Sequence, residues 1–384
     1  MSIAHPTHRP SRPLLVEGGG GQPHATLTPG VSAEDRVAAI HEVPPIECEK
    51  LWKVYGHPSP ELTADLMAGR LSPREAHASH GCVVAVADVS FRVGSGEIFC
   101  IMGLSGSGKS TLVRHINRLI QPTAGRVRLF GKELNGLNDF ELRHLRSHQI
   151  GMVFQNVALL PHKTVIENVA YGLEVRGLRR GERQAIAREK LEIVGLLEWQ
   201  RRYVDELSGG MQQRVGLARA LAIDPDILLM DEPFSALDPL IRRQLQAEFA
   251  KLSQKMRKTT LFITHDLEEA VRLGDRIAIM KDGAFVQVGT PEEVVLHPAN
   301  DYVAEFVKDI SPLQILTATH VMRPIAVAHG GVALRKLPHD TILQEVINAL
   351  ADTPEPVAIT DGIGAVIGTV SRDDIVLALR SGGG

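Results

Sequence analysis

Between residues 46 and 299, short apolar runs alternate with longer stretches in which apolar positions recur at helical spacing. That alternation is the mark of strands followed by amphipathic helices, and it predicts one continuous α/β domain built on a largely parallel sheet. The candidate strands are residues 97–102, 150–154, 227–230, 260–264 and 277–280. Several are apolar at successive positions, as strands buried on both faces must be. Residues 277–280 and 284–288 flank Lys281-Asp282-Gly283, which predicts a hairpin because Asp-Gly supplies the positive φ of a tight turn. The pattern breaks at residues 57–82, where Ser72, Pro73 and Glu75 make a capping box and predict a short helix within an ordered insert. After about Asp309 a smaller unit begins. Asp340 is placed to cap a helix carrying Ile342, Val346 and Leu350 on one face. Residues 357–360 and 365–370 alternate around a Gly-rich turn, and residues 373–379 close as a second helix, giving a β-α-β-β-α order.

The first 45 residues show no such periodicity. They hold seven of the chain's 22 prolines and the run Gly18-Gly19-Gly20-Gly21, a composition that predicts a disordered tail. At roughly 100–200 residues per domain, 384 residues suggest two or three domains. The expected division is a tail over 1–45, a large domain over 46–309 and a small unit over 310–384. Lys plus Arg number 42 against 45 Asp plus Glu, a formal charge of −3, so the chain has no footprint for a polyanion such as DNA. Cys48, Cys82 and Cys100 are odd in number and lack metal-ligand spacing, so neither a disulfide framework nor a zinc site is indicated. No run approaches the ~20 apolar residues of a spanning helix, and Leu14-Leu15-Val16 is too short for a signal-peptide core. The expectation is a cytoplasmic chain that does not itself cross a membrane.

Chemistry enters at Gly103-Leu104-Ser105-Gly106-Ser107-Gly108-Lys109-Ser110, which satisfies G-x-x-x-x-G-K-[ST] between a predicted strand and the helical stretch that opens at Thr111. Such glycines let successive backbone N–H groups turn inward around phosphate oxygens, and the following helix N-terminus adds to the attraction. Lys109 is the candidate ligand of the β- and γ-phosphates, and Ser110 offers its hydroxyl to Mg²⁺. Farther on, the apolar run Ile227-Leu228-Leu229-Met230 ends in Asp231-Glu232. A carboxylate at the carboxyl end of a parallel strand faces the ligand crevice. Asp231 suits the Mg²⁺ shell, and Glu232 suits a general base for an attacking water.

Leu207-Ser208-Gly209-Gly210-Met211-Gln212-Gln213 opens an amphipathic stretch, and here the chain resembles the ATP-binding cassette family. The resemblance implies a P-loop α/β fold with a mixed-sheet core and a helical subdomain. It also implies that Ser208, Gly209 and Gly210 form the signature segment contacting ATP on the other subunit of a dimer. Met211 departs from the family's usual glutamine, at a place where backbone groups make the contacts. By the same resemblance Gln155 is the Q-loop residue that contacts Mg²⁺ or water and relays ATP state to a membrane partner. Ser235-Ala236-Leu237-Asp238 matches the D-loop at the dimer interface, and His265 matches the switch histidine on the γ-phosphate. Tyr55 resembles the aromatic that stacks on adenine, with Trp52 a competing candidate.

The insert, the text around Lys109 and Phe234-Ser235-Ala236-Leu237-Asp238-Pro239-Leu240-Ile241-Arg242 are similar to the ATPase subunits of quaternary-amine importers. Those proteins take up glycine betaine, proline or choline and commonly end in paired CBS repeats; the tail resembles one such repeat. Gly368-Thr369-Val370-Ser371-Arg372-Asp373-Asp374 resembles its ribose-binding part, while Ser371 and Asp374 are also spaced as a helix cap. The implied cofactors are ATP and Mg²⁺. The implied partners are a second cassette, transmembrane permease subunits and, indirectly, an extracytoplasmic solute-binding protein, with the chain peripheral on the inner face of the cell membrane. Nucleic-acid machines built on these motifs split them with long coiled coils or zinc modules. Here Lys109 and Asp231 stand only 122 positions apart without heptads or cysteine clusters, which favours transport.

Overall fold

The computed structural model describes residues 43–155, 157–235, 237–311, 313, 315–324, 334–351 and 355–381. The expected tail therefore lies outside the described residues up to position 42. The strands are β1 (Ile46–Tyr55), β2 (Val83–Val93), β3 (Ile98–Met102), β4 (Ala124–Leu129), β5 (Lys132–Glu133), β6 (Ile150–Val153) and β7 (Ile227–Asp231). They continue with β8 (Thr259–Thr264), β9 (Arg276–Lys281), β10 (Ala284–Gly289), β11 (Arg323–Pro324), β12 (Lys336–Pro338), β13 (Val357–Thr360) and β14 (Val366–Val370).

The central sheet runs β10-β9-β3-β8-β7-β6. All of its pairings are parallel except the β9–β10 hairpin. Strand β3 shows why its sequence is continuously apolar. Phe99 and Ile101 face a core shared with the antiparallel sheet β2-β1-β4-β5, whereas Cys100 and Met102 face a core shared with the helices. Helix Lys109–Ile116 lies between the two sheets and contributes Leu112, Val113 and Ile116 to the first core. Phe91 of β2 stacks on Phe99 with ring centroids 5.2 Å apart. On the other face, helices Val165–Val175, Arg180–Ile193 and Gly209–Ala222 form the helical layer.

The antiparallel sheet has no counterpart among the predicted strands. Strand β1 carries Glu47, Glu49, Lys50 and Lys53, and Lys50 adopts φ +46° at a register shift, so consecutive Leu51 and Trp52 are both buried. A bulge of this kind destroys the period-two alternation by which a strand is recognised. The insert contains two helices where one was expected. Helix Pro73–His80 has the reciprocal Ser72–Glu75 capping box, but helix Pro60–Met67 has Ser59, which accepts from the Leu62 amide at 3.1 Å, and Pro60 without the reciprocal acid. Without an acid at the third helical position the signal is half as strong.

In the tail, the order of β12, helix Leu343–Ala351, β13, β14 and helix Arg372–Ser381 is preceded by helix Ala318–Val321 and β11. Asp340 does not cap the first long helix: it sits in a turn, and the helix begins at Leu343 after Ile342 bridges Thr317. Its buried face is Leu343, Val346, Ala349 and Leu350. Ser371 and Asp374 do form a capping pair, with the Ser371 amide and hydroxyl donating to the carboxylate at 2.9 and 2.6 Å, and Arg323 also bonds Asp374. Hydrogen bonds and Arg323 hold the Asp374 carboxyl below its ordinary range despite burial, which acts to raise it. The two cores overlap here: Ile315 belongs to the large core, while Leu316 belongs to the core of the tail, against which Leu313 and Leu296 also pack. Among the described residues, no helix is long and apolar enough to cross a membrane.

Candidate functional site

The loop Gly103–Gly108 joins β3 to helix Lys109–Ile116 and is pressed against neighbouring backbone. A Cβ on Gly103, whose φ is +154°, would stand 2.2 Å from the Met280 carbonyl oxygen. One on Gly108, φ +103°, would stand 2.1 Å from that of Ala85. The hairpin turn after β9 braces the loop from behind: the Gly283 amide donates to the Ser107 carbonyl at 3.1 Å, and the Gly283 carbonyl accepts from Ala87 at 2.8 Å. Lys109 is 5% exposed, and its Nζ donates to the carbonyls of Gly103 and Leu104 at 2.8 and 3.0 Å. Burial pulls its pKa down, while Glu232 and Asp231 oppose that shift. Leu104, Ser105 and Gly106 form the exposed crest, and Thr111 lies in the helix's first turn.

At the end of β7, Asp231 is 1% exposed and its Oδ1 accepts from the Ser110 hydroxyl at 2.8 Å. Its Oδ2 is buried without a partner, and burial pushes the carboxyl pKa up. An orphaned carboxylate oxygen beside a hydroxyl is a donor set suited to a hard cation such as Mg²⁺. Among the described residues, no group of three or more His, Cys, Asp and Glu side chains could hold a metal ion.

Glu232 follows in the left-handed region at φ +49°. A non-glycine residue there costs of the order of 1 kcal/mol and persists only when its surroundings over-determine it. They do so here. The Glu232 amide donates to the Ile263 carbonyl at 3.1 Å, and its own carbonyl accepts from Ser235 Oγ at 3.0 Å and Gln213 Nε2 at 3.4 Å. Its Oε2 lies 3.3 Å from Gln155 Nε2 and 3.2 Å from His265 Nδ1. Because an ionised carboxylate can only accept, that histidine nitrogen carries the hydrogen when Glu232 is charged. Gln155, expected as a metal ligand, is thus placed on Glu232.

The remaining candidates are distributed differently. Ser208 caps helix Gly209–Ala222, accepting from the Met211 amide at 3.4 Å, with Gly209 and Gly210 in its first turn. Among the described residues, no hydrogen bond joins this segment to the phosphate loop. The carboxylate of Asp238 caps helix Pro239–Met256 through the amides of Leu240 and Ile241, both at 3.1 Å. Ala236 lies outside the described residues. Trp52 is buried with Leu62, Leu66 and Ala76 of the insert, whereas Tyr55 is 40% exposed with Lys53 Nζ 5.0 Å from its ring centroid.

Sequence reasoning missed several supporting residues. Gln213, at the end of the Leu207–Gln213 segment, is 2% exposed and donates to the Glu232 carbonyl. Arg219 ties the helical layer to the chain beyond Gln155, donating to the carbonyls of Val157 and Ala158 at 2.8 Å. His115 sits one turn below Thr111, with Nδ1 2.7 Å from the Thr111 carbonyl and Nε2 buried without a partner. Burial lowers its pKa to about 4. Since the unfolded value is about 6.5, the unfolded chain binds a proton that the folded chain refuses. Stability therefore falls as pH drops from about 6.5 to 4, by on the order of 3 kcal/mol at the acid limit. His115→Leu is expected to flatten this part of the pH profile, measured as unfolding midpoints near pH 7 and pH 5; equal slopes in both proteins would contradict it.

A family model for ABC transporters matches residues 86–235. The glycine betaine transport ATP-binding protein OpuAA of Bacillus subtilis is 52% identical over 278 residues, covering 72% of this chain and 66% of that protein. The trimethylamine N-oxide transport system ATP-binding protein TmoW of Pelagibacter ubique is 42% identical over 333 residues, covering 87% of this chain and 96% of that protein. A bacterial ABC transporter cassette solved as a dimer, MJ0796, superposes with a TM-score of 0.56 at 33% identity, over 64% of this chain and 98% of that one. The phosphate loop, the Asp231–Glu232 strand end and these likenesses agree, and the chain belongs to the ABC transporter ATPase family, in the group of glycine betaine, choline and related transport ATP-binding proteins.

Proposed function

We propose that this chain is the ATP-hydrolysing subunit of an importer for a quaternary amine or other compatible solute: glycine betaine, choline or proline. The observation that carries the chemical part is the Glu232 carboxylate, held 3.2 Å from His265 and 3.3 Å from Gln155 at the end of the strand that carries Asp231. ATP lies along the phosphate loop, with Lys109 leaving its loop carbonyls for the β- and γ-phosphates and Tyr55 offering its exposed ring to the base. Ser110 Oγ and Asp231 Oδ2 would hold Mg²⁺, which would supply charge neutralisation on the phosphates. Glu232 accepts a proton from the attacking water as the water oxygen bonds the γ-phosphorus and the bond to the β-phosphate oxygen breaks. His265 and Gln155 fix the carboxylate for that transfer.

Two copies would close on two nucleotides, with Ser208, Gly209 and Gly210 of one copy reaching the phosphates bound by the other, and Asp238 at the shared interface. This assembly is supported by the dimeric cassette that the chain resembles. Permease subunits supply the membrane path, an extracytoplasmic protein delivers the solute, and the chain sits on the cytoplasmic face. The tail over 310–384 is read as a regulatory unit resembling one CBS repeat, with Ser371 and Asp374 serving as a helix cap.

A specific observation also favours trimethylamine N-oxide as the solute. The TmoW relatives align with 87% of this chain, reaching into the tail, whereas the glycine betaine relatives align with 72%. Reconstitution of the chain with its permease and binding protein in liposomes decides between them. Stimulation of ATP hydrolysis by one of glycine betaine, choline, proline and trimethylamine N-oxide is the expected outcome; no response to any of them would overturn the solute class.

A further inference from the structure

One cluster of buried polar groups lies outside the site described above. Glu269, on helix Leu267–Leu273, is 5% exposed and accepts from Gln246 Nε2 at 2.8 Å and from the Thr264 hydroxyl. Thr264 Oγ1 in turn accepts from the Asp266 amide at 3.0 Å, so the two bonds pin the residues on both sides of His265. Gln246 belongs to helix Pro239–Met256, one turn beyond Arg242 on the same face. Arg242 donates to the carbonyls of Ser235 and Leu237 at 3.4 and 3.1 Å, and its other terminal nitrogen lies 3.8 Å from Asp266 Oδ2.

We propose that Arg242, Gln246 and Glu269 form a brace that makes the position of His265 depend on Ser235 and Leu237. They are positioning residues: none touches Glu232's carboxylate, and all act through the His265 backbone. A buried carboxylate is costly unless its acceptors are filled, and here both oxygens are filled by groups from two different elements. That is why the link is stiff at its Glu269 end. At its Arg242 end it has slack. The Arg242 Nε is buried without a partner, and a cavity of about 110 Å³ is lined by Arg242, Gln246, Asp266 and Glu269. The guanidinium therefore has room to trade the Ser235 and Leu237 carbonyls against Asp266 when those residues move, drawing Asp266 and the neighbouring histidine with it.

This role rests on the reading of the chain as a dimeric ATPase in which 235–238 meets the second copy. The test uses the full chain in its reconstituted complex, with kcat, KM for ATP and nucleotide affinity measured for Arg242→Ala, Arg242→Lys, Glu269→Gln, His265→Ala and the double variant Arg242→Ala/His265→Ala. A misplacement of about 1 Å at reacting groups costs on the order of 100-fold, so Arg242→Ala is expected to lower kcat about 10- to 100-fold with KM and affinity within about twofold. Arg242→Lys and Glu269→Gln, which each keep part of the bonding, are expected to fall between Arg242→Ala and wild type. If the brace acts through His265, the double variant is no slower than His265→Ala to within about twofold. Multiplicative losses in the double variant, an unchanged kcat in Arg242→Ala, or a fall in nucleotide affinity matching the fall in kcat would each overturn the brace. A wild-type chain that hydrolyses no ATP would overturn the functional reading and, with it, this role.

Discussion

Glu232→Gln is expected to lower kcat for ATP hydrolysis by about 10³-fold while leaving ATP affinity near the wild-type value. The substitution keeps the shape of the side chain and the contact to His265 Nδ1, now 3.2 Å from the carboxylate, but removes the group that takes the water's proton. Positioned general bases contribute roughly 10²- to 10⁴-fold, which sets the size of the loss. Because ATP still binds and is no longer consumed, the variant is also expected to accumulate as a nucleotide-bound dimer. Single-turnover hydrolysis and size-exclusion chromatography with ATP and Mg²⁺ read the two effects. Hydrolysis within tenfold of wild type would remove Glu232 from the chemistry, and a monomer in saturating ATP would count against closure around nucleotide.

The second large effect belongs to Lys109→Ala. Lys109 Nζ is buried and bonded to two loop carbonyls at 2.8 and 3.0 Å, with Asp231 and Glu232 as its nearest anionic influences. Loss of a charge-assisted bond to phosphate is worth about 1.5–3 kcal/mol each, so two such bonds imply a fall in ATP affinity of at least about 100-fold. The same substitution removes one of the two cations, Arg114 being the other, that offset the repulsion between Asp231 and Glu232, so part of the loss appears as lower stability without nucleotide. Thermal midpoints with and without ATP separate these contributions. Wild type gains stability with ligand by mass action, and Lys109→Ala is expected to gain almost none. An equal ligand-induced gain in both proteins would exclude Lys109 from phosphate binding.

The phosphate loop and strand β7 were legible in the sequence because their chemistry is local. Consecutive residues create the Gly103–Gly108 loop, and the carboxylates stand where an apolar run ends. What could not be read was the closing of Gln155 and His265 on Glu232, since those contacts span 77 and 33 positions. Family likeness supplied their names, and the fold supplied their geometry. Glu269 was hidden for the opposite reason: an acid on an otherwise apolar helix face reads as a solvated edge until Gln246 and Thr264 are seen to fill its oxygens. The antiparallel sheet was lost to charged positions and the Lys50 bulge, and Asp340 was misread because a turn and the Ile342 bridge intervene before the helix.

The overlap of the two cores around Ile315 means that the tail is not a pendant that can be cut away at will. A chain ended near Asp309 would lose Ile310 and Ile315, 8% and 5% exposed, from the core beneath the helical layer. At about 1.5–3 kcal/mol for each buried side chain, that excision costs a sizeable share of a domain's stability. Any loss of activity after such a cut would report a wounded ATPase, and a cut after Ile315 would in its turn uncover Leu296, which packs against the core of the tail.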